Sequence, residues 1–391
     1  DGHHFIATLY EQGVRHFVLS ETLALENYPD AAFIVTPNVV QVLQEYAHYH
    51  RAKFELPIIA ITGSNGKTTS KELIGAVLSE KYKTTATHGN LNNHIGVPLT
   101  LLSMGSDTEI GIVEMGANHP GEIEMLCEIA QPDYGYITNF GKAHLEGFGS
   151  VEGVVEAKTE LYRFLKKHNK EVFVNANDEK QLTKSKRINR ITFGSQKQDY
   201  NISLADSKQE VKVSYQNIGI QSNLVGQYNF ANISAAIAIG AYFKVPKEQI
   251  KQAIEAYTPT NNRSQLLKKG SNTILLDAYN ANPTSMLAAL ENFKQAKGSK
   301  KILFLGDMFE LGKEAETEHQ SIVNFLSENN IGKAFIIGKN FFKTHTSSPN
   351  IIKIEGFETL QKELKNNPPK DSFILIKASR GMALEKILNL I

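Results

Sequence analysis

The sequence lacks several features that would mark other protein classes. It has one cysteine in 391 residues, so no internal disulfide framework can form, in keeping with a reducing, cytoplasmic setting. An excess of charge is also missing. Lys+Arg number 42 against 41 Asp+Glu, a formal +1, so bulk charge gives no reason to expect nucleic acid or an anionic membrane as partner. The longest apolar stretch, near Ile233 to Phe243 and bounded by Asn232 and Lys244, is too short to cross a bilayer. The sequence opens on no basic-then-apolar run, so a leader is not expected from it, and it shows no repeat or low-complexity tract. Because the chain opens on Asp1 rather than Met, an upstream segment is expected. What is present is 41% hydrophobic residues, enough for a buried core, and a length that fits roughly two to three domains.

Breakers and periodicity divide the chain. Residues 1–54 mix the short apolar runs Phe17-Val18-Leu19 and Ala32-Phe33-Ile34-Val35 with a helical pattern from Val39 to Tyr49. From Leu56 a strand, turn and helix repeat: strand Pro57–Thr62, helix Lys67–Glu80, strand Gly111–Met115, helix Gly121–Ala130, strand Tyr134–Thr138. Such alternation predicts a mostly parallel sheet covered by helices. The polar stretch from Tyr257 to Asn262 reads as a linker. Beyond it the pattern restarts with strands Thr273–Leu276, Lys301–Leu305, Ala334–Ile337 and Phe373–Ile376, and helices Pro283–Phe293 and Glu316–Ser327. The expected fold is α/β in three domains: a partial one at 1–54, a central one at 55–258 and a C-terminal one at 259–391. The basic run Lys184 to Arg187 has no interleaved aromatics and reads as a solvated face rather than an RNA contact.

The sharpest local signal is IIAITGSNGKTTSKE, Ile58 to Glu72. An apolar strand enters a glycine turn, and Lys-Thr-Thr opens a helix. Gly63 and Gly66 let backbone N–H groups around Ser64 and Asn65 converge, and the helix N-terminus adds its dipole and free donors. Lys67 is the candidate for the β/γ-phosphates, Thr68 for Mg²⁺ and Thr69 for the same nucleotide. Ile61 stands where the general G-x-x-x-x-G-K-[ST] pattern has its first Gly, which leaves a shorter G-x-x-G-K-T-T loop. No D-x-x-G switch or N-K-x-D base reader accompanies it. Gly147, Gly149 and Gly153 are one residue too far apart for a dinucleotide fingerprint and follow no strand.

With GSNGKTT, a series of later stretches resembles the Mur ligase family, ATP-dependent enzymes that extend the UDP-N-acetylmuramoyl precursor of bacterial cell wall. IVEMGANHPGEI (Ile112 to Ile123), ITNFGKAHLEGFGS (Ile137 to Ser150) and EAKTELY (Glu156 to Tyr162) resemble its central-domain motifs in type and order. GQYNFANISAAIAIG (Gly226 to Gly240) is similar to the segment that closes over adenine. LLDAYNANPTSM (Leu275 to Met286), LGDMFELG (Leu305 to Gly312), IKASRG (Ile376 to Gly381) and GNLNNHIGVPLTLL (Gly89 to Leu102) resemble the branch that joins D-alanyl-D-alanine to a UDP-muramoyl tripeptide. Tyr228 stands where the family often has His and receives no function, and Ala378 stands where Gly is common. Residues 1–54 match only vaguely.

The resemblance implies a three-domain Mur ligase architecture, with a P-loop central domain, a Rossmann-like C-terminal domain and an N-terminal domain that holds uridine diphosphate. It also implies a reaction. ATP phosphorylates the terminal carboxylate of UDP-N-acetylmuramoyl tripeptide, the D-alanyl-D-alanine amine attacks the acyl phosphate, and phosphate leaves. The physical problem is to bring two anions together, which calls for concentrated positive charge and positioning. By motif match, two Mg²⁺ ions are implied, with Thr68 and Glu114 on one and His144 on the other. A protonated Lys158 ~4 Å from Mg²⁺ would be repelled by roughly 8 kcal/mol even at an effective dielectric of 20. The family's corresponding lysine is carbamylated, an anion, and the same is implied for Lys158. Arg263 is implied at the γ-phosphate, Asp277 at ribose and Asn232 at adenine. Asn92, Asn93, Asn118, His119, Tyr279, Asn280, Asn282, Lys377 and Ser379 are implied as substrate contacts, with Arg380 adding charge. A reaction split between two domains also leads to the expectation of an open ligand-free form that closes about Thr258. The enzyme is expected to be a monomer with no nucleic acid partner and no membrane insertion.

Two other functions remain in view: a sister ligase that adds a single amino acid or polyglutamate, and a P-loop nucleotide switch without ligation. Cys127 shares a helix face with Ile123 and Ala130 and reads as core. His48 and His50 point to different helix faces and make a poor metal pair. His319, on a predicted helix, fits an exposed structural residue as well as a substrate contact.

Overall fold

The structure, a computed structural model, describes residues 2–21, 25–296, 298 and 300–391. Near its start, β1 (His16–Leu19) and β2 (Ala32–Val35) pair in parallel, with Ile6, Phe17 and Leu19 forming a small core of their own. Asn38 caps the next helix, Val39–Ala52, by accepting from Gln41 N. This helix rides on the central unit rather than on the strand pair. Ala47 belongs to the buried cluster of Val97 and Leu126, and His48 Nδ1 and His50 Nε2 meet the carbonyl oxygens of Glu128 and Met104 at 3.0 and 2.8 Å. The two histidines therefore dock a helix, each at its own carbonyl.

The central sheet contains β3 (Ile58–Thr62), β4 (Thr84–Ala86), β5 (Ile110–Glu114), β6 (Tyr134–Ile137), β7 (Glu171–Asn175), β8 (Asn189–Gly194), β9 (Tyr200–Asp206), β10 (Glu210–Tyr215) and β11 (Ile218–Val225), in the order 11-10-9-8-7-6-3-5-4. Strands β3 to β8 pair in parallel, and β9 to β11 form an antiparallel meander. Every residue of β3 and β5 is buried, as continuous apolar runs covered on both faces should be. β3 lies between β5 and β6, so connections leave it in opposite directions along the sheet. Ligands collect at the carboxyl ends of strands beside such a reversal.

The third sheet contains β12 (Gln265–Lys269), β13 (Asn272–Asp277), β14 (Lys301–Gly306), β15 (Lys333–Ile337), β16 (Ile351–Ile354) and β17 (Phe373–Lys377), in the order 12-13-17-14-15-16. All its pairings are parallel except the β12–β13 hairpin. The units built on the second and third sheets touch each other. Phe140 and Leu145 share a buried cluster with Ala281, Met308 and Leu311, and Lys142 Nζ reaches Glu318 Oε1 at 2.5 Å. Among the described residues no helix is long and apolar enough to cross a membrane.

Candidate active site

The carboxyl ends of both large sheets open onto one cavity of about 560 Å³. On the central side, β3 runs into the glycine loop and then the helix Lys67–Ser79. Gly66 ends the loop at φ +80°, and a Cβ there would lie 2.6 Å from Asn232 Oδ1, so glycine is required both by conformation and by close approach. The N–H groups of Ser64 and Asn65 already donate to Asn139, at 3.1 Å each. The first-turn amides of the helix, which have no intrahelical acceptor, are therefore the donors left for phosphate. Lys67 Nζ folds back to donate to Gly63 O at 2.8 Å, and burial pulls its ammonium below the usual lysine range.

Glu114, at the end of β5, is 1% exposed. Its Oε1 accepts from Asn92 Nδ2 at 2.8 Å and from Thr68 Oγ1 at 3.3 Å. Its Oε2 has Lys71 Nζ at 3.9 Å but no hydrogen bond. A buried carboxylate oxygen that accepts no hydrogen bond is costly unless something else binds it, and a hard divalent cation suits an oxygen beside a threonine hydroxyl. The residues thus fit Mg²⁺ shared with phosphates. Among the described residues no three His, Cys, Asp or Glu side chains gather as a metal cage.

Lys158 does not line the cavity. It lies 1% exposed behind the wall, with Nζ donating to Ala117 O at 3.2 Å and sitting 5.1 Å from the Phe148 ring centroid. Burial, helped by the charge of Lys67, lowers its pKa to about 7. A large fraction is therefore free amine near neutrality. His144 does line the cavity. It has φ +52° and forms an ion pair through Nδ1 with Glu310 Oε2 of the C-terminal unit. The His144 imidazole set against it holds the Glu310 carboxyl below the usual range. Glu310 went unnoticed in the sequence, although LGDMFELG contains it.

Arg263 and Tyr279 meet on the C-terminal side of the cavity, the guanidinium 3.6 Å from the ring centroid, and Arg263 Nε is buried with no hydrogen-bond partner among the described residues. Asp277 accepts from Ser264 N at 3.1 Å and from Lys377 Nζ at 2.5 Å, and Ser264 Oγ lies 2.7 Å from Tyr228 Oη. Tyr228, left without a role by the sequence reading, is thus part of the wall. Asn282 caps the helix Pro283–Gln295 and reaches across to Asn65 Oδ1 at 2.7 Å. Asn232 accepts from Ser70 Oγ and donates to Asn229 Oδ1, which fixes its amide beside Gly66.

Asn92, Asn93, Asn118 and Asn280 line the same cavity. Asn93 Oδ1 also accepts from Ile95 N and Gly96 N. Two expected contacts do not line it. His119 is exposed and turned to Glu122, whose carboxylate holds the backbone N–H groups of Asn118 and His119. Ser379 is buried, accepting from Phe309 N and donating to Ala281 O. Gly63 also lies off the lining, its role being the turn. His319 is neither exposed nor in the cavity. It is fully buried, with Nε2 accepting from Met308 N at 3.0 Å.

With this geometry in place, two family models match the chain: the Mur ligase middle domain over residues 61–240 and the Mur ligase, glutamate ligase domain over residues 262–380. The chain belongs to the Mur ligase family. It is 37% identical to the UDP-N-acetylmuramoyl-tripeptide–D-alanyl-D-alanine ligase of Bacillus subtilis (strain 168), over all of this chain and 87% of the relative. It is 29% identical to that of Escherichia coli (strain K12), over all of this chain and 88% of the relative. Among Mur ligases of known structure, MurF from Acinetobacter baumannii superposes with a TM-score of 0.87 at 28% identity, covering all of this chain and 87% of that one. The MurF ligase of Thermotoga maritima in complex with ADP gives 0.85 at 25% identity, covering all of this chain and 91% of that one.

Proposed function

We propose that this Mur ligase joins D-alanyl-D-alanine to UDP-N-acetylmuramoyl tripeptide at the expense of ATP, in the cytoplasm and as a monomer. The observation that carries the reading is the cavity itself. It combines the GSNGKTT loop and the Glu114 carboxylate, one of whose oxygens accepts no hydrogen bond, with Arg263, Asp277, Tyr279 and Lys377 from the other sheet. The likeness to relatives named as D-alanyl-D-alanine ligases along the whole chain favours this substrate over the single residues of a sister ligase. A nucleotide switch would not need a second sheet to complete its cavity.

In this reading residues 1–54 help to hold the uridine nucleotide, 55–258 bind ATP and 259–391 bring the dipeptide. The first-turn amides of the helix Lys67–Ser79 and the Lys67 ammonium hold the phosphate chain. Asn232 faces adenine and Asp277 the ribose. Arg263 neutralises charge on the transferred phosphoryl group, so that the tripeptide carboxylate can approach it. The γ-phosphoryl group passes to that carboxylate, releasing ADP. The dipeptide amine then adds to the acyl phosphate carbon, and phosphate departs as the peptide bond forms. Thr68 and Glu114 would hold one Mg²⁺, and His144 and a carbamylated Lys158 a second; the ions supply charge neutralisation. The free amine of Lys158 is the form that reacts with carbon dioxide.

Phosphate release with Mg-ATP and UDP-muramoyl tripeptide tests the reading. Turnover is expected with D-alanyl-D-alanine. Turnover with D-alanine and not the dipeptide would overturn it, and hydrolysis that ignores the precursor would favour the switch.

A further inference from the structure

His144 and Glu310 come from different units, and each has a backbone that is rare for its residue type. His144 has φ +52° and Glu310 φ +61°, in the left-handed region that costs a non-glycine residue roughly 1–2 kcal/mol. Two such residues face each other. Their side chains form an ion pair through His144 Nδ1 and Glu310 Oε2, and the backbone adds a bond from Glu146 N to Glu310 O at 3.1 Å. His144 lines the cavity and Glu310 does not, so the carboxylate meets the imidazole away from the ligand side. A carboxylate on one ring nitrogen fixes the tautomer and ring orientation and leaves the other nitrogen as a lone-pair donor.

From this we infer that Glu310 is a positioning residue: it holds the His144 imidazole with its proton on Nδ1 and Nε2 presented to the cavity, and it does so only while the C-terminal unit is docked. The inference rests on His144 acting in the ligase site, and it extends that reading by making the histidine's competence depend on the second unit. No other described carboxylate forms an ion pair with His144. The Glu310 contact arrives on the loop that follows β14 together with the backbone bond to Glu146, so undocking would remove both at once.

The test begins without substrate. Nitrogen-15 spectra of the imidazoles in nucleotide-free, metal-free protein, assigned with His144→Ala, should show His144 as one tautomer in the wild type. In Glu310→Ala it should average between the two, and Glu310→Gln, which keeps an acceptor oxygen, should restore much of the wild-type signal. In turnover, Glu310→Ala should lower kcat about 10–100-fold and raise the Mg²⁺ concentration needed for half-maximal rate, with KM for ATP within about twofold. An unchanged His144 spectrum in folded Glu310→Ala would overturn the inference, as would a loss confined to KM for ATP. Because the spectra need no substrate, a failure of the ligase reading would leave them interpretable on their own.

Discussion

Tyr257 Oη donates to Glu72 Oε2 at 2.6 Å, while Asn261 Nδ2 donates to Oε1 of the same carboxylate at 2.9 Å. One acid on the helix Lys67–Ser79 therefore grips the segment between the central and C-terminal units at two points. Hydrogen bonds to a charged group contribute about 1.5–3 kcal/mol each. Tyr257→Phe combined with Asn261→Ala should release the segment while leaving both cores intact. Small-angle scattering of the nucleotide-free double variant is expected to give a larger radius of gyration than wild type, with the two converging when ATP and precursor are added. Equal radii without ligand would show that the clamp does not hold the units together.

Glu114 should decide whether a divalent ion is held. With ADP and Mg²⁺ present, wild-type protein is expected to melt higher than with ADP alone, because a ligand bound only to the folded state stabilises it by mass action. In Glu114→Gln the added Mg²⁺ should raise Tm little, and turnover should fall at least 100-fold. Glu114→Gln also leaves Lys71, 3.9 Å away and nearly buried, without its counter-charge. The ligand-free variant should therefore itself melt somewhat lower.

Lys158 carries a pH prediction. Unfolded, its amine takes a proton below about 10.5; folded, it does so only below about 7. The folded state thus binds fewer protons between these values, and this residue makes stability rise with pH across the window and fall on acidification towards 7. Free amine, and with it any carbamate, should decline about tenfold for each pH unit below 7. Carbon-13 bicarbonate should give a carbamate signal at pH 8 that fades by pH 6 and is missing in Lys158→Ala. That variant should lose turnover and regain part of it with small carboxylates.

Tyr279 packs against the Arg263 guanidinium, and Arg380 lies 5.6 Å from the same ring. A cation over a partly desolvated ring gains about 1–2 kcal/mol. Tyr279→Phe should keep most activity, whereas Tyr279→Ala should lower kcat roughly tenfold by freeing Arg263. Equal losses in both variants would point to the hydroxyl instead.

These cases show where sequence reading worked and where it stopped. β3, the glycine loop and the helix Lys67–Ser79 were legible because their determinants are contiguous: apolar run, Gly63 and Gly66, then a helix start. β7 to β11 were not picked out individually, since short strands such as Tyr200–Asp206 alternate buried and exposed residues only weakly. The helix Val39–Ala52 was found as a helix, but its docking through His48, His50 and Arg51 onto residues 54 to 82 positions further on was not visible. The partners of His144 and Asn65 were hidden for the same reason. Glu310 and Asn282 lie 166 and 217 residues away, and no local period connects them. The Lys158 residue number came from motif likeness, but its burial came only from the fold.

His319 supplies the last prediction, one of stability rather than catalysis. Its Nδ1–H donates to Ala315 O at 2.6 Å, its Nε2 accepts from Met308 N at 3.0 Å, and its ring packs edge-on to Phe341. Both ring nitrogens are thus used by a neutral imidazole. A proton on Nε2 would oppose the Met308 N–H, and although Asp307 Oδ1 is 3.6 Å from that nitrogen, burial wins and the pKa falls below the ordinary 6.5. The unfolded chain therefore takes up a proton near 6.5 before the folded one does, and stability is lost as pH falls through and below that value. One such site can contribute a slope of up to about 1.4 kcal/mol per pH unit. Urea unfolding between pH 8 and 5.5 should show wild-type protein losing stability more steeply than His319→Ala. The variant should itself be about 3 kcal/mol less stable at pH 8, from the cavity and the unpaired Met308 N–H. Parallel pH profiles for the two proteins would mean that His319 does not titrate in this range.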